Sequence, residues 1–170
     1  QYDAVTVAHS ETSTGALNPI AELARVVHAA GDVVLLVDSV TGVAGVPVES
    51  DAWALEFVLT GSQKALALPP GLAFGVAQPN ILERARAQKG RGIYFDFLEF
   101  EKFTLQNQTP NTPAVSLLFA LAKQLERIDA EMTLHDAAMF KIRQWWNREK
   151  RTGYAAAQGY AMYGHLPERY

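Results

Sequence analysis

The chain has 170 residues, 49% of them hydrophobic and 19% charged, with 12 Gly and 8 Pro. That composition suits one globular domain and argues against disorder, a collagen-like repeat or a fibrous coiled coil. A net charge of −3 is too mild to point to nucleic acid, and the lack of any cysteine excludes disulfide scaffolds, thiolate metal sites and thiol nucleophiles.

The first half alternates element types in the α/β manner. Residues 4–8 form a short Val-rich run that fits a buried strand. Asn18 followed by Pro19 signals a helix start, with Asn as cap and Pro in the first turn. Ile20, Leu23, Ala24 and Val27 then line one face, and Gly31 closes the helix. Residues 33–37 are apolar without alternation, as in a parallel strand buried on both faces. This run, like every other apolar run in the sequence, is far short of the roughly 20 residues a membrane-spanning helix needs. Residues 57–60 and 72–77 are further strand candidates around the Pro69-Pro70-Gly71 loop.

The second half reads as mostly helical. Pro79 opens a helix toward Lys89, which Gly90 and Gly92 break. Residues 109–113 form a turn, and Thr112-Pro113 again reads as cap plus first-turn proline, starting a helix through Leu117, Leu118, Leu121 and Leu125. Another helix is expected from about Thr133, carrying Met139, Ile142, Trp145 and Trp146. After Gly153 the periodicity fails in a Tyr-rich tail. Residues 1–60 hold eight acids against Arg25 alone; the later excess of bases falls in residues 84–91 and 141–151, read as solvated helix faces.

Two residues carry candidate chemistry. Asp38 directly follows the apolar run, so it belongs at the carboxyl end of a central strand, where open parallel sheets bind ligands. Alone, it fits equally a strand-end carboxylate capping the next turn. Lys64, in Thr60-Gly61-Ser62-Gln63-Lys64-Ala65, lies just past a strand. Set in a desolvated pocket its pKa falls, which suits a Schiff-base amine; alone it fits a surface lysine too. Residues 9–15, His9-Ser10-Glu11-Thr12-Ser13-Thr14-Gly15, add hydroxyls at the same sheet edge. An amine, a carboxylate and a hydroxyl together match what pyridoxal phosphate requires. His9 is read as a packed histidine, Glu11 and Ser13 as loop-ordering residues, and Gly61 and Gly71 as backbone requirements.

The segments HSETSTG, VVLLVDSV, TGSQKALALPPG and TPNTPAVSL resemble the class V aminotransferases, specifically the alanine–glyoxylate and serine–pyruvate group. The resemblance implies a fold-type I α/β large domain, a mostly parallel sheet flanked by helices, with pyridoxal 5′-phosphate as cofactor. It makes Lys64 the residue that binds the cofactor covalently and shuttles the substrate proton. Asp38 becomes the partner of the pyridinium nitrogen. Thr12 matches the hydroxyl at the ring oxygen, Gln63 a phosphate ligand, and Thr112 a phosphate contact supplied to the neighbouring subunit of a homodimer. No metal is implied.

On that resemblance, residues 1–130 are part of the cofactor-binding domain, 131–153 a helix leading toward a small domain, and 154–170 an irregular tail. The expected reaction moves an amino group from alanine or serine to glyoxylate or pyruvate. A cysteine desulfurase or related lyase is disfavoured by Gln63, where those relatives carry histidine, and by the absence of cysteine. A non-catalytic, dimerising remnant is the other alternative. The family's glycine-containing phosphate loop, ring-stacking aromatic and carboxylate-binding arginine have no counterpart in the chain, and Thr109 stands where some relatives carry tyrosine. The start at Gln1 is read as a cropped or processed end, and the protein as soluble and cytoplasmic, with neither membrane nor nucleic-acid partner.

Overall fold

The computed structural model describes residues 2–132 and 162–163. Its frame is a five-stranded sheet in the order β1 (Ala4–Ala8), β4 (Val34–Asp38), β5 (Phe57–Gly61), β6 (Ala73–Ala77), β7 (Met162–Tyr163). A small hairpin of β2 (Ser10–Glu11) and β3 (Ala16–Leu17) leaves the end of β1. Strands β1, β4 and β5 are mutually parallel, β6 runs antiparallel to β5, and β7 is parallel to β6. Joining β1 to β4 in parallel requires a crossover, which α1 (Ile20–Ala29) supplies. The β5–β6 connection contains no helix, and the antiparallel pairing follows from that.

Register determines what shares a face. Ala8 pairs with Asp38 and Asp38 with Leu59, so the carboxyl ends of β1 and β4 lie level with the middle of the parallel strand β5. Side chains alternate along a strand, which puts Asp38 on the face opposite Leu35 and Val37. Those two pack with Ile20 and Ala24 of α1, Leu55 and Val58 in one core cluster. A second cluster joins Leu66, Leu72 and Phe74 to Leu121 and Leu125 of α4 (Val115–Met132). The core thus sits between the sheet and its helices.

Some expectations change. Strand β1 is not buried: Ala4, Val5 and Thr6 are exposed, because β4 is its single sheet neighbour among the described residues. Asn18 does not cap α1; its Nδ2 donates to Ala8 O at 2.7 Å, tying the helix entry to β1 instead. The helix α2 (Pro79–Ala87) ends two residues before Lys89, and α4 starts at Val115 rather than Pro113. Helix α3 (Phe97–Leu105) was not anticipated; Asp96 caps it by accepting from Leu98 N at 3.0 Å. The expected helix after Thr133, with Trp145 and Trp146, lies outside the described residues. So do the tail beyond Gly153 except β7, and the basic run 141–151.

The arginines of residues 84–91 are occupied by ion pairs: Arg84 with Asp32, Arg86 with Glu83 and Glu101, and Arg91 with the buried Asp96. The stretch is expected from sequence to be a solvated helix face; its ion pairs to Asp32, Glu101 and Asp96 add links to neighbouring segments. Glu56 makes a more consequential bridge. One oxygen meets His28 Nε2 at 3.0 Å, and the other accepts from the N–H of fully buried Leu35 at 3.0 Å. Glu56→Ala strands that amide, at an expected loss of about 1–3 kcal/mol in urea unfolding. Stability unchanged from the parent would show that water replaces the carboxylate at no cost.

Candidate active site

The carboxyl edge of β1, β4 and β5 gathers the chemistry-bearing segments. Asp38 ends β4, and the loop after β5 carries Gln63 and Lys64. Thr12 lies in the β2–β3 turn that follows β1. Thr112 sits apart, in the segment leading into α4. All five are exposed. Two expectations are corrected here. Asp38 is not a buried carboxylate and Lys64 is not in a desolvated pocket, because no element among the described residues covers this end of the sheet's open face.

Asp38 accepts one hydrogen bond, from Val40 N to Oδ1 at 3.0 Å. That is the turn-capping contact its position allows, and it leaves Oδ2 without a protein donor among the described residues. Lys64 is held by its backbone: its carbonyl accepts from Ala67 N at 2.8 Å in a turn where Ala67 takes φ +54. The loop hangs from Ser62, which is fully buried. Ser62 Oγ donates to Pro69 O at 2.7 Å and accepts from Leu72 N at 3.2 Å, while its backbone pairs with Leu68 and Leu72. Ser62 therefore closes the base of the lysine loop. Its signal in the sequence was a hydroxyl directly after a strand and two residues before the lysine.

Gly71 has φ +140, and a Cβ would lie 2.7 Å from Leu117 Cδ1 of α4, which matches the backbone reading. At Gly61 a Cβ would lie 2.8 Å from Gln63 Oε1, the end of a flexible side chain that can move aside, so the backbone there does not demand glycine. Glu11 orders the Thr12 turn as expected, accepting from Ser13 N at 2.9 Å and Ser13 Oγ at 2.7 Å. These bonds, the side-chain one first, lower the Glu11 pKa. Thr109 Oγ1 donates to Asn111 O at 2.8 Å and shapes the turn before Thr112.

His9 is packed, 4% exposed, with Nδ1 3.1 Å from Ser39 Oγ and its ring edge-on to Trp53. Burial disfavours the imidazolium and holds its pKa below the ordinary 6.5. The unfolded chain then binds more protons than the folded one as pH drops below 6.5, so stability is full above that value and falls beneath it. The slope from this one group reaches at most about 1.4 kcal/mol per pH unit. Urea unfolding across this range should show the decline, and His9→Asn should flatten it. An equal slope in both proteins would place the proton uptake elsewhere.

Part of the donor set that pyridoxal phosphate needs stands at this sheet edge. A carboxylate with a free oxygen stands at the end of a central strand, on an open floor that it shares with Ala8 and Leu59. An exposed amine and amide follow from the next strand, and an exposed hydroxyl from the previous one. An apolar cleft of about 40 Å³, lined by Val43, Val48, Val58, Leu59 and Phe74 among others, includes none of Thr12, Asp38, Gln63, Lys64 and Thr112. Among the described residues no helix is long and apolar enough to cross a membrane.

Comparison with known proteins agrees with this architecture. The family profile "Aminotransferase class-V" matches residues 1–144. Over 128 residues the chain is 41% identical to a protein named soluble hydrogenase, small subunit, from a Synechococcus strain, covering 75% of this chain and 33% of that protein. It is 36% identical over 130 residues to serine–glyoxylate aminotransferase of Arabidopsis thaliana, covering 75% and 32%. The chain thus spans about a third of the length of the curated relatives it matches. Among solved structures, alanine–glyoxylate aminotransferase from Nostoc sp. superposes with a TM-score of 0.71 at 25% identity, covering 89% of this chain and 41% of that one. The aspartate aminotransferase of Thermus thermophilus gives 0.69 at 35% identity, covering 78% and 37%. With its α/β architecture matching part of a fold-type I large domain, the chain belongs to the class V aminotransferase family.

Proposed function

We propose that the chain forms the cofactor-binding part of a pyridoxal phosphate-dependent transaminase, moving an amino group from a small amino acid to a 2-oxo acid. The observation that carries this reading is Asp38, a carboxylate with a free oxygen at the end of the central parallel strand, one strand from the loop of Lys64. Bound pyridoxal phosphate supplies an aldehyde that condenses with amines and a ring that takes up the electron pair left when a substrate Cα loses its proton. Lys64 Nζ would hold it covalently and move the proton at the substrate Cα. Asp38 would hold a proton on the ring nitrogen by charge. Thr12 would donate to the ring oxygen; Gln63, with Thr112 from a second copy in a homodimer, would hold the phosphate.

Alanine or serine as donor and glyoxylate or pyruvate as acceptor is the substrate pair we favour. Relatives named serine–glyoxylate aminotransferase and L-aspartate–glyoxylate aminotransferase, and the solved alanine–glyoxylate enzyme, support that class. A cytoplasmic location goes with this reading. The test is direct: with pyridoxal phosphate added, the protein is given alanine or serine together with glyoxylate, and glycine formation is followed. Glycine should appear in proportion to the 2-oxo acid derived from the donor. Donor consumption without glycine would overturn the transaminase in favour of a lyase.

A further inference from the structure

The enclosed cluster behind Asp38 has a geometry that packing alone does not require. Ser39, immediately after Asp38, is fully buried, and its hydroxyl meets His9 Nδ1 at 3.1 Å. Its carbonyl accepts from both Gly42 N and Val43 N at 3.0 Å, closing the turn that presents Val40 N to Asp38 Oδ1. The turn fits closely over the pair, since a Cβ at Gly42 would lie 2.9 Å from His9 Nδ1 and nearer still to Ser39 Oγ. Trp53 closes the cluster from the side, its ring centroid 6.4 Å from that of His9.

The His9 backbone bonds to the backbone of Asp38 and to the residue that follows the hairpin. Its N–H donates to Asp38 O at 2.7 Å, and its carbonyl accepts from Asn18 N at 2.8 Å, just past the hairpin of Thr12. Thr41 of the same turn donates to Ser10 O at 2.8 Å. Hairpin and turn are therefore stitched together around one imidazole.

We propose that His9 is a positioning residue: through Ser39 it holds the turn whose Val40 amide orients the Asp38 carboxylate, and it ties that turn to the hairpin carrying Thr12. The inference rests on the transaminase reading for its consequence, since an oriented Asp38 matters only if a ligand meets it. Burial keeps the imidazole neutral, so its contribution is a directional hydrogen bond rather than a charge near Asp38.

Two measurements on the whole protein test it. Without cofactor, amide exchange at Val40 should quicken about tenfold in Ser39→Ala and His9→Leu, as the turn opens more often. With pyridoxal phosphate titrated against the apoprotein, each substitution should weaken binding about fivefold, in line with one lost hydrogen bond. The double variant should lose little more than either single one, because the two act as a unit. In an Asp38→Asn background the same substitutions should cost less than about twofold, which a general packing role would not produce. Equal losses with and without Asp38, or unchanged Val40 exchange, would overturn the proposal. Should His9→Leu fail to fold, Ser39→Ala decides by the same readouts. Failure of the unsubstituted protein to take up the cofactor would sink the transaminase reading, and Val40 exchange alone would then decide whether His9 positions Asp38.

Discussion

Borohydride reduction of the protein loaded with pyridoxal phosphate is expected to fix the pyridoxyl group on Lys64, and Lys64→Ala is expected to abolish turnover. The reasoning starts from the loop. Ser62 pins its base by four hydrogen bonds, so the lysine projects from a fixed point beyond β5 rather than from a wandering surface segment. Losing a positioned proton-transfer group removes roughly 10²- to 10⁴-fold in rate, and losing the covalent attachment adds to that. Lys64→Arg should not rescue, since a guanidinium keeps its proton at any working pH and cannot take one from Cα. Peptide mapping after reduction reads the site. A label on Lys89, Lys102 or Lys123, or wild-type turnover in Lys64→Ala, would remove Lys64 from its role.

Much of the frame was legible because local signals and tertiary packing agree. The unbroken apolar run became β4, and Ile20, Leu23, Ala24 and Val27 became the buried side of α1. Asn18-Pro19 marked the right helix start for a partly different reason: proline's fixed backbone suits the entry, while the Asn side chain serves β1. Helix α3 was missed because its apolar residues, among them Phe97, Leu98, Phe100 and Phe103, do not fall on one clean stripe. Phe100 alone is buried there. Asp96 was its one strong start signal, hidden in a run of aromatic residues.

Exposure was the least legible property. Sequence places Asp38 at the end of an apolar strand, but whether that end is covered depends on which elements lie over the sheet's open face. The same holds for β1, whose Val-rich run is indistinguishable from an interior strand until its neighbours are counted. The roles of Ser39 and Ser62 were less legible, because they depend on partners far along the chain: His9 for Ser39, and Pro69 and Leu72 for Ser62.

Asp38→Asn is expected to leave the fold intact and to weaken cofactor binding about tenfold, while slowing Cα proton removal by roughly 10²- to 10³-fold, the scale of losing one preorganised electrostatic contact in an active site. The substitution is diagnostic because of how the carboxylate is held. Among the described residues its one protein hydrogen bond is from Val40 N to Oδ1, and an amide oxygen accepts that bond equally well. The turn should therefore survive, and with it the link through Ser39 to His9. What the amide lacks is negative charge at the free oxygen position, which is what would keep a ring nitrogen protonated and the ring able to accept electrons. Asp38→Ala, by contrast, removes the turn contact and should lower stability as well. Single-turnover measurements with alanine separate the cases. A rate in Asp38→Asn within a few-fold of the parent would mean that Asp38 does no more than cap the end of β4, and the ring nitrogen's partner would have to be sought elsewhere.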